Sequence, residues 1–336
     1  MKWFEHHDAH SIEEAVKLLH HYGGRAKVNA GGTDLLGTLR DRIHPEYPEA
    51  VINLKTIDGL DYITGDEEGL RIGALAALAD IIRSPVVKEG YGLLADAVHS
   101  VATPQIRNMA TIGGNLAQDI RCWFYRYPRR IGGPIVCLRK GGRFCNAMAG
   151  DNRYHSIFGA APFSEHSCYP STARKGCLAV SPSDIAVALV AMNGRIITTK
   201  RDLAAQEFFK ATATSSTVLE VDELIREIQV PRPPVAAKQR YEKFTLRKPI
   251  DFAIVSVAAV MTLDNGVCKE ARIVLGAVAP EPLRAVKAEE AMKQRTVDTA
   301  LAVEAAEQAV AGARPLKMNA HKVEITKALV KRAVLG

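Results

Sequence analysis

Apolar residues recur three and four positions apart in the segment SIEEAVKLLHHYGG, which predicts an amphipathic helix near the start of the chain. Ser11 and Glu14 form a capping-box pattern at its beginning, and Gly23 supplies a stop at its end. The next segment, AKVNAGGTDLL, is typical of a short strand that runs into a glycine turn. AVINLKTI and GLRIGALAAL predict further strands.

Helix and strand patterns alternate up to Thr111, which predicts an α+β fold. The helix expected in ALADIIRSPVVKEG should break at Pro85. Periodicity then disappears between Cys122 and Cys177, and aperiodic stretches of about 55 residues exceed the usual loop length and tend to be functional or disordered. Helix and strand resume in PSDIAVALVAMNGRIITT, with Pro182–Ser183–Asp184 as the start signal.

The C-terminal part of the chain has its own pattern. EIQVPRPP, RYEKFTL and FAIVSVAAVMTLDNGVCKEARIVLGAV predict strands, with a two-residue hairpin at Asp264–Asn265–Gly266. Three helical segments follow Val278, so we expect an antiparallel sheet backed by three helices. A run of small polar residues, ATATSSTVLEVDE, indicates a boundary before it. The predicted domains are residues 1–215, subdivided into 1–57 and 58–215, and residues 216–336.

The net charge of +7 is modest, and arginines concentrate between Arg121 and Arg143. No nucleic-acid-binding module is recognisable, so the basic patch favours an acidic partner subunit or an anionic cofactor. No apolar run approaches the ~20 residues of a membrane helix. The start, MKWFEHHDAH, lacks the layout of a secretory signal, which predicts a cytoplasmic protein. Export together with a partner that carries a signal stays open.

Two glycine pairs lie far apart in the chain, and a threonine and an acid or amide flank each of them. Gly31–Gly32 precedes Thr33, and Gly113–Gly114 lies between Thr111 and Asn115. Without a Cβ the backbone can approach a ligand, and successive N–H groups can bind an anion. One such pair is more often a structural turn, whereas two favour a pyrophosphate site. Neither pair is GxGxxG or a Walker loop, which disfavours Rossmann and P-loop folds.

Five of the six cysteines lie between Cys122 and Cys177, and the sixth, Cys268, is expected to be buried in an apolar strand. Clustering favours metal ligation over disulfides in a reducing compartment. The residues between Cys122, Cys137, Cys145 and Cys177 number 14, 7 and 31, so the paired knuckles of a zinc ribbon are absent from the sequence. Spacing alone leaves zinc, an iron–sulfur cluster and free thiols open.

NAGGTDLL followed by PQIRNMATIGGNLAQ resembles the flavoprotein subunit of molybdenum hydroxylases of the xanthine dehydrogenase and carbon monoxide dehydrogenase type. YEKFTLRKPIDFAIVSVAAVM and ARIVLGAVAPEPLRA resemble the C-terminal domain of the same subunit, so the resemblance runs the length of the chain. It implies a two-part FAD-binding domain of the vanillyl-alcohol oxidase type. An antiparallel sheet with a helical bundle should follow.

The resemblance also implies which residues hold FAD. The first loop would wrap the diphosphate through backbone amides, and the second loop would hold it from the other side. Asp119 would be a partner for the adenosine end, Ile225 would pack against the flavin, and Lys243 would lie near the flavin ring or phosphate. Each of three residues also has an alternative role without a cofactor. Ile225 could be a core residue, Lys243 a solvated strand residue and Asp184 a helix cap. The predicted set is Ala30, Gly31, Gly32, Thr33, Asp34, Leu35, Thr111, Gly113, Gly114, Asn115, Asp119, Ile225 and Lys243.

QDIRC, NRYHSIFG and GCLAVSPSD resemble a subset of the family that carries a [4Fe–4S] cluster in an insertion, here at about residues 120–178. This subset includes 4-hydroxybenzoyl-CoA reductase and bacterial aldehyde-oxidising enzymes. The implied ligands are Cys122, Cys137, Cys145 and Cys177. Cys168 could replace Cys177, and His155 and His166 are further alternatives, although a lone loop histidine more often makes hydrogen bonds.

An electron-transfer role follows from the resemblance. It implies a molybdopterin-binding large subunit and a [2Fe–2S] small subunit as partners, in a heterotrimer or its dimer, and an external electron carrier. The sequence contains no recognisable catalytic triad, HExxH motif or acid–base pair, so no catalytic residue is predicted in this chain. The competing hypotheses are a stand-alone FAD oxidoreductase and a zinc-stabilised scaffold protein.

Overall fold

Three sheets of three or more strands divide the described chain into three lobes. The computed structural model describes residues 1–128, 135–162, 176–248 and 250–336. The first lobe is a parallel sheet of strand order β1-β3-β2 with its own apolar core. Its elements are β1 (Glu5–Asp8), α1 (Ile12–Tyr22), β2 (Ala26–Asn29), α2 (Leu35–Asp41) and β3 (Ala50–Asn53).

The predicted caps of the first helix are confirmed. The hydroxyl of Ser11 accepts a hydrogen bond from the Glu14 N–H at 3.1 Å, and the Glu14 carboxylate accepts one from the His10 N–H at 2.8 Å. Gly23 follows in the left-handed conformation, with φ of 54°, and ends the helix. These local bonds position β2, whose end leads into the first glycine loop.

The second lobe contains an antiparallel sheet of strand order β4-β5-β10-β8-β9 and most of the helices. Its break at Pro85, where one short helix ends and the next begins, is confirmed. Its elements are β4 (Ile63–Gly65), β5 (Gly69–Gly73), α3 (Leu78–Arg83), α4 (Pro85–Gly90), α5 (Gly92–His99), α6 (Pro104–Met109), α7 (Ile112–Leu116), α8 (Trp123–Arg126), β6 (Ala161–Pro162), β7 (Gly176–Cys177), α9 (Asp184–Ala191), β8 (Arg195–Thr198), β9 (Asp202–Ala204), α10 (Ala205–Phe208) and β10 (Ile225–Pro231).

The third lobe is the predicted antiparallel sheet with three helices behind it. Asn265 and Gly266 form the two-residue turn, with φ of 49° and 82°, so the hairpin signal is confirmed. The sheet has strand order β11-β12-β13-β14. The elements are β11 (Lys238–Phe244), β12 (Val255–Asp264), β13 (Val267–Gly276), β14 (Leu283–Arg284), α11 (Val286–Met292), α12 (Thr299–Val310) and α13 (His321–Leu335).

Helix α9 joins the second and third lobes. All eight of its residues are buried, and it contacts α5 on one side and β12 and β13 on the other. A helix covered all round needs no polar face, which explains the apolar run DIAVALVA. Strand β10 belongs to the second sheet, because it pairs with β5 and β8. We therefore propose a division between Pro231 and Lys238 in place of the expected one at 215/216.

Short elements alone order the cysteine segment between α7 and α9. Besides α8, the described part contains 3₁₀ turns at Leu138–Lys140 and Asn146–Met148 and the β6–β7 pair. Cys168 and His166 lie outside the described residues, so their predicted roles as alternative ligands stay predictions. Among the described helices, none is long and apolar enough to cross a membrane.

Candidate functional site

A cavity of about 600 Å³ lies where the three lobes meet. Its wall includes the first glycine loop from the first lobe, most of residues 111–119 and Ile225 from the second, and Lys243 from the third. Every residue of the predicted FAD set contributes to this wall, although the set spans more than two hundred positions of the chain. A cavity of this volume is in the range of small-molecule and cofactor sites.

The first glycine loop, residues 30–34, offers backbone donors to the cavity. Within the described residues, no acceptor pairs with the N–H groups of residues 31–35, whereas the Leu36 N–H donates to the Gly32 carbonyl at 3.1 Å. Gly32 has φ of 70°, a conformation that favours glycine. Successive unpaired N–H groups in a turn are typical of an anion site.

Gly31 packs directly against the segment that leads into the second glycine pair. A Cβ at this position would lie 2.1 Å from the Met109 carbonyl oxygen and 2.8 Å from the Ala110 Cα. Met109 ends α6, and Ala110 directly precedes Thr111. The missing Cβ of Gly31 therefore makes room for another backbone segment of the protein. From the sequence, we had expected it to make room for a ligand.

The second glycine pair lies in a one-turn helix, α7, rather than in an open turn. Thr111 caps it, because its hydroxyl accepts a hydrogen bond from the Gly114 N–H at 3.2 Å. The Gly113 N–H donates to the Ala74 carbonyl at 2.9 Å, and a Cβ on Gly113 would lie at 2.9 Å from the same oxygen. The Asn115 side chain accepts from the Ser183 hydroxyl at 2.6 Å. These groups of the second pair are therefore already hydrogen-bonded within the protein and shape the cavity wall. Within the described part of the chain, the backbone N–H groups that are free to bind a ligand come from the first glycine loop.

Asp34 connects the first glycine loop to the cysteine segment. Its carboxylate accepts two hydrogen bonds from Arg126, at 2.8 and 3.2 Å, and one from the Asp119 N–H at 3.0 Å, and it pairs with Arg121 at 3.0 Å. Burial alone would raise the pKa of Asp34, but the two guanidinium groups outweigh it and lower the pKa below its ordinary value. Asp34, which was predicted to bind the cofactor, thus also holds the first glycine loop against the cysteine segment.

An Asp34→Asn substitution should lower the free energy of unfolding by about 2 kcal/mol, a value between those of exposed and buried ion pairs. Because the pKa of Asp34 is lowered by folding, this stabilisation is present above pH 4 and is lost as the pH falls through the folded-state pKa. Urea unfolding at pH 7 and pH 3 checks both points. Asp80→Asn, in an exposed pair with Arg83, is the control and should change little. Equal losses in the two variants would contradict the assignment.

Asp119 faces the cysteine segment as well as the cavity. Its carboxylate accepts hydrogen bonds from the Tyr125 hydroxyl at 2.5 Å and from Arg139 at 3.1 Å. Arg139 is buried and also donates to the Thr214 carbonyl and the Ser216 hydroxyl, while its Nε has no partner among the described residues. The adenosine role of Asp119 stays a prediction.

The Lys243 side chain is only 9% exposed and lines the cavity, so its interpretation as a solvated strand residue is wrong. Its ammonium donates to the Asp184 carboxylate at 2.7 Å and to the Ser100 carbonyl at 2.9 Å. The Tyr241 hydroxyl donates to the other Asp184 oxygen at 2.6 Å. The helix cap is Ser183, whose hydroxyl accepts from the Ala186 N–H, so the cap interpretation of Asp184 is also wrong.

Ile225 begins β10 at a register shift of the second sheet. It is 9% exposed, belongs to the largest apolar core and lines the cavity. The core interpretation is therefore confirmed, and packing against a bound flavin stays a prediction that the position allows.

Sequence reasoning missed several residues of the cavity wall. The segment ATATSST was interpreted as a boundary, yet residues 214–217 line the cavity. Arg139 and residues 250–252 line it too, and the Arg121 guanidinium lies over the Phe252 ring at 4.7 Å. Runs of Ser and Thr are common in loops. The unusual density of these residues in ATATSST was the one signal that could have identified the segment as part of the cavity wall.

Three of the predicted cysteine ligands each precede a helical turn. Cys122 comes before α8, and Cys137 and Cys145 come before the two 3₁₀ turns, while Cys177 lies in β7. Cys268 is fully buried in the third lobe, as predicted.

Backbone N–H groups reach three of these sulfurs. Burial raises the pKa of the Cys122 thiol to about 12 and also raises the pKa of Cys137 and Cys145. The hydrogen bonds act in the opposite direction, because a sulfur that accepts them holds negative charge more easily. The donors are Phe124 and Tyr125 for Cys122, Arg139 and Lys140 for Cys137, and Ala147 and Leu178 for Cys145. These backbone donors would stabilise thiolates, which are the form of cysteine that binds metals.

The four thiols lie near enough to one another to interact electrostatically. The charge of Cys177 raises the pKa of each of the other three, so all lie within its reach. Among the described residues, no three His, Cys, Asp or Glu side chains are grouped so that they could hold a metal ion. Four thiolates on one zinc ion would be about 3.8 Å apart, from Zn–S bonds of about 2.3 Å, and no such group is found among the described residues.

Comparison with known proteins identifies the class. Residues 2–233 match the family model described as the FAD binding domain in molybdopterin dehydrogenase, and residues 239–336 match that of the CO dehydrogenase flavoprotein C-terminal domain. A solved carbon monoxide dehydrogenase chain from Hydrogenophaga pseudoflava superposes with a TM-score of 0.75 at 27% identity and covers 99% of this chain and 96% of that chain. The mixed helix–sheet fold is thus that of an FAD-binding flavoprotein.

Two curated relatives narrow the assignment. The aldehyde oxidoreductase FAD-binding subunit PaoB of Escherichia coli is 32% identical over 88% of this chain and 87% of that protein. The carbon monoxide dehydrogenase medium chain of Hydrogenophaga pseudoflava is 30% identical over 98% and 96%, respectively. This chain belongs to the FAD-binding medium subunits of the molybdenum hydroxylases, the family of carbon monoxide and xanthine dehydrogenases. It is therefore an oxidoreductase subunit.

Proposed function

We propose that this chain relays electrons in a molybdenum hydroxylase complex, with FAD in the central cavity and a [4Fe–4S] cluster on Cys122, Cys137, Cys145 and Cys177. The observation that carries the proposal is the direct linkage of the two sites. Asp34, in the first glycine loop, is bonded to Arg126 of the cysteine segment. Arg139 lines the cavity and follows Cys137 closely in the chain.

The cavity wall fits FAD in three respects. The N–H groups of residues 31–35, which have no acceptor among the described residues, would bind the diphosphate. Lys243, fixed by Asp184, would place a positive charge beside the flavin, and Ile225 would pack against it. When bound, FAD supplies redox chemistry in one- and two-electron steps. The chain's own part is to orient the cofactor and to set the charge around it.

We propose a cluster rather than a single ion for the cysteine segment, because no group that could hold a single metal ion is found among the described residues. In a [4Fe–4S] cluster each of four thiolates binds a different iron, so the sulfurs are farther apart than zinc ligands. The backbone donors to Cys122, Cys137 and Cys145 would stabilise the thiolates, and the neighbouring arginines would offset the negative charge. When bound, the cluster supplies one-electron transfer.

The relatives indicate the kind of partners. Two of them are named as the medium chain of carbon monoxide dehydrogenase, which implies further chains in those enzymes. By that similarity we propose a molybdopterin-binding large subunit and a [2Fe–2S] small subunit for this chain, with an external electron carrier. The vanillyl-alcohol oxidase type of the FAD domain and a cytoplasmic location are part of the same proposal.

Anaerobic purification followed by visible spectroscopy and analysis of flavin, iron, sulfide and zinc tests the function. We expect flavin bands on a broad brown absorption, with one FAD and about four iron and four sulfide per chain. Flavin without iron would contradict the cluster and support a stand-alone flavoprotein. Zinc without flavin or iron would contradict both cofactors and support a scaffold role.

A further inference from the structure

His155 lies against one of the four proposed ligands. Its Nε2 is 3.2 Å from the Cys122 sulfur, and its side chain is buried. The ring also contacts Trp123 and Phe124, with ring centroids 6.0 and 6.2 Å away. Cys122 thus has a side-chain group within hydrogen-bond distance of its sulfur, in addition to backbone N–H groups of the kind that lie near Cys137 and Cys145.

The third lobe holds His155 in this place. The His155 carbonyl accepts hydrogen bonds from the Asn319 amide at 3.1 Å and from the Lys322 ammonium at 3.0 Å. Asn319 and Lys322 are both fully buried, and Lys322 also donates to the Ala277 carbonyl. On its other side, the His155 N–H donates to the Asn152 carbonyl at 3.0 Å. Three hydrogen bonds thus fix the backbone of His155, and the buried ring packs against Trp123 and Phe124.

The distance to Cys122 identifies a hydrogen bond rather than a second ligand. A histidine and a cysteine on the same tetrahedral ion would have their ligand atoms about 3.5 Å apart, and among the described residues no group that could hold such an ion is found. Ligands on different irons of a cluster are farther apart still. The observed 3.2 Å is shorter than either and suits an N–H group that donates to sulfur.

The neutral imidazole carries a single N–H, and the geometry decides its place. The Nδ1 atom is buried without a hydrogen-bond partner among the described residues, whereas Nε2 faces the sulfur. A cysteine sulfur bound to a cluster carries no proton and can only accept, so with the cluster in place the imidazole proton belongs on Nε2.

We propose that His155 is a positioning residue that donates its Nε2–H to the Cys122 sulfur and thereby raises the reduction potential of the cluster. This inference rests on the proposed function. A hydrogen bond to a ligand sulfur withdraws negative charge, and the reduced cluster carries one more negative charge than the oxidised cluster. Donation therefore stabilises the reduced form more.

Redox titration followed by electron paramagnetic resonance tests this in the anaerobically purified, cofactor-loaded protein. His155→Leu removes the donor, whereas His155→Gln keeps an N–H group near the Nε2 position and serves as the matched control. We expect His155→Leu to disfavour reduction by about tenfold, which is 59 mV for a one-electron couple. His155→Gln should stay close to the parent protein. An unchanged potential in His155→Leu with an intact cluster would overturn the inference.

A second measurement needs no disruptive variant. Pulsed resonance of parent protein labelled with ¹⁵N-histidine should show weak nitrogen coupling to the reduced cluster, and His155→Gln should lose it. Absent coupling in the parent, or the strong coupling of a directly bound nitrogen, would overturn the inference even where His155→Leu does not fold. A parent protein without any iron–sulfur signal would instead contradict the proposed function itself.

Discussion

A Gly31→Ala protein should bind FAD about a hundredfold more weakly than the parent chain. The added Cβ would lie 2.1 Å from the Met109 carbonyl oxygen, and this atom is backbone and cannot turn aside. Separating the loops requires backbone shifts that cost ~1–3 kcal/mol or more, and ~1.4 kcal/mol is a tenfold change in affinity. Flavin fluorescence titration of the protein stripped of flavin measures the effect.

Gly37→Ala is the matched control for this substitution. Gly37 lies in α2, six residues along the same segment, and a Cβ there would meet nothing within 4 Å. We expect normal FAD affinity and a gain of about 0.5–1 kcal/mol in the free energy of unfolding, because alanine favours the helix. Normal affinity in Gly31→Ala would show that contact between the loops is not needed for binding.

A Cys145→Ala protein should lose the iron–sulfur cluster and keep FAD. Cys145 is buried beside Leu138 and Leu178, in a small apolar cluster that is separate from the cavity wall. The substitution removes a ligand without touching the first glycine loop. Iron and sulfide analysis should therefore fall to near zero, while the flavin bands remain in the visible spectrum.

Cys268→Ala separates ligand loss from the general effect of losing a buried thiol. Cys268 is fully buried in the third lobe and lies among apolar side chains, so its replacement should cost stability only and leave iron and FAD in place. Loss of FAD together with iron in Cys145→Ala would mean that the segment is needed to fold the cavity. The bonds between Asp34 and Arg126 offer a physical route for that outcome.

Several elements could be predicted from the chain because short-range bonds determine them. The cap at Ser11, the stop at Gly23, the break at Pro85 and the Asn265–Gly266 turn each depend on groups within four residues. The three C-terminal helices follow from the same kind of local pattern. Such signals hold in any tertiary arrangement, because both partners of each interaction lie close together in the sequence.

Interpretations that depended on distant partners were less secure. Asp184 resembled a cap, yet it pairs with Lys243, which is brought from another lobe. Residues 214–217 were interpreted as part of a domain boundary, yet they form part of the cavity wall. A local pattern contains no information about which segment will pack against it, so polarity alone could not separate a linker from a binding surface.

The sequence by itself determined the local elements, the two glycine pairs and the cysteine spacing, and its motifs were sufficient to assign the family. Tertiary structure alone decided that Gly31 serves the contact between the loops, that Asp34 fastens the cavity to the cysteine segment, and that His155 reaches Cys122. The physical reason is distance along the chain. Hydrogen bonds and steric contacts between residues that are 33 to 92 positions apart exist only after the lobes have packed.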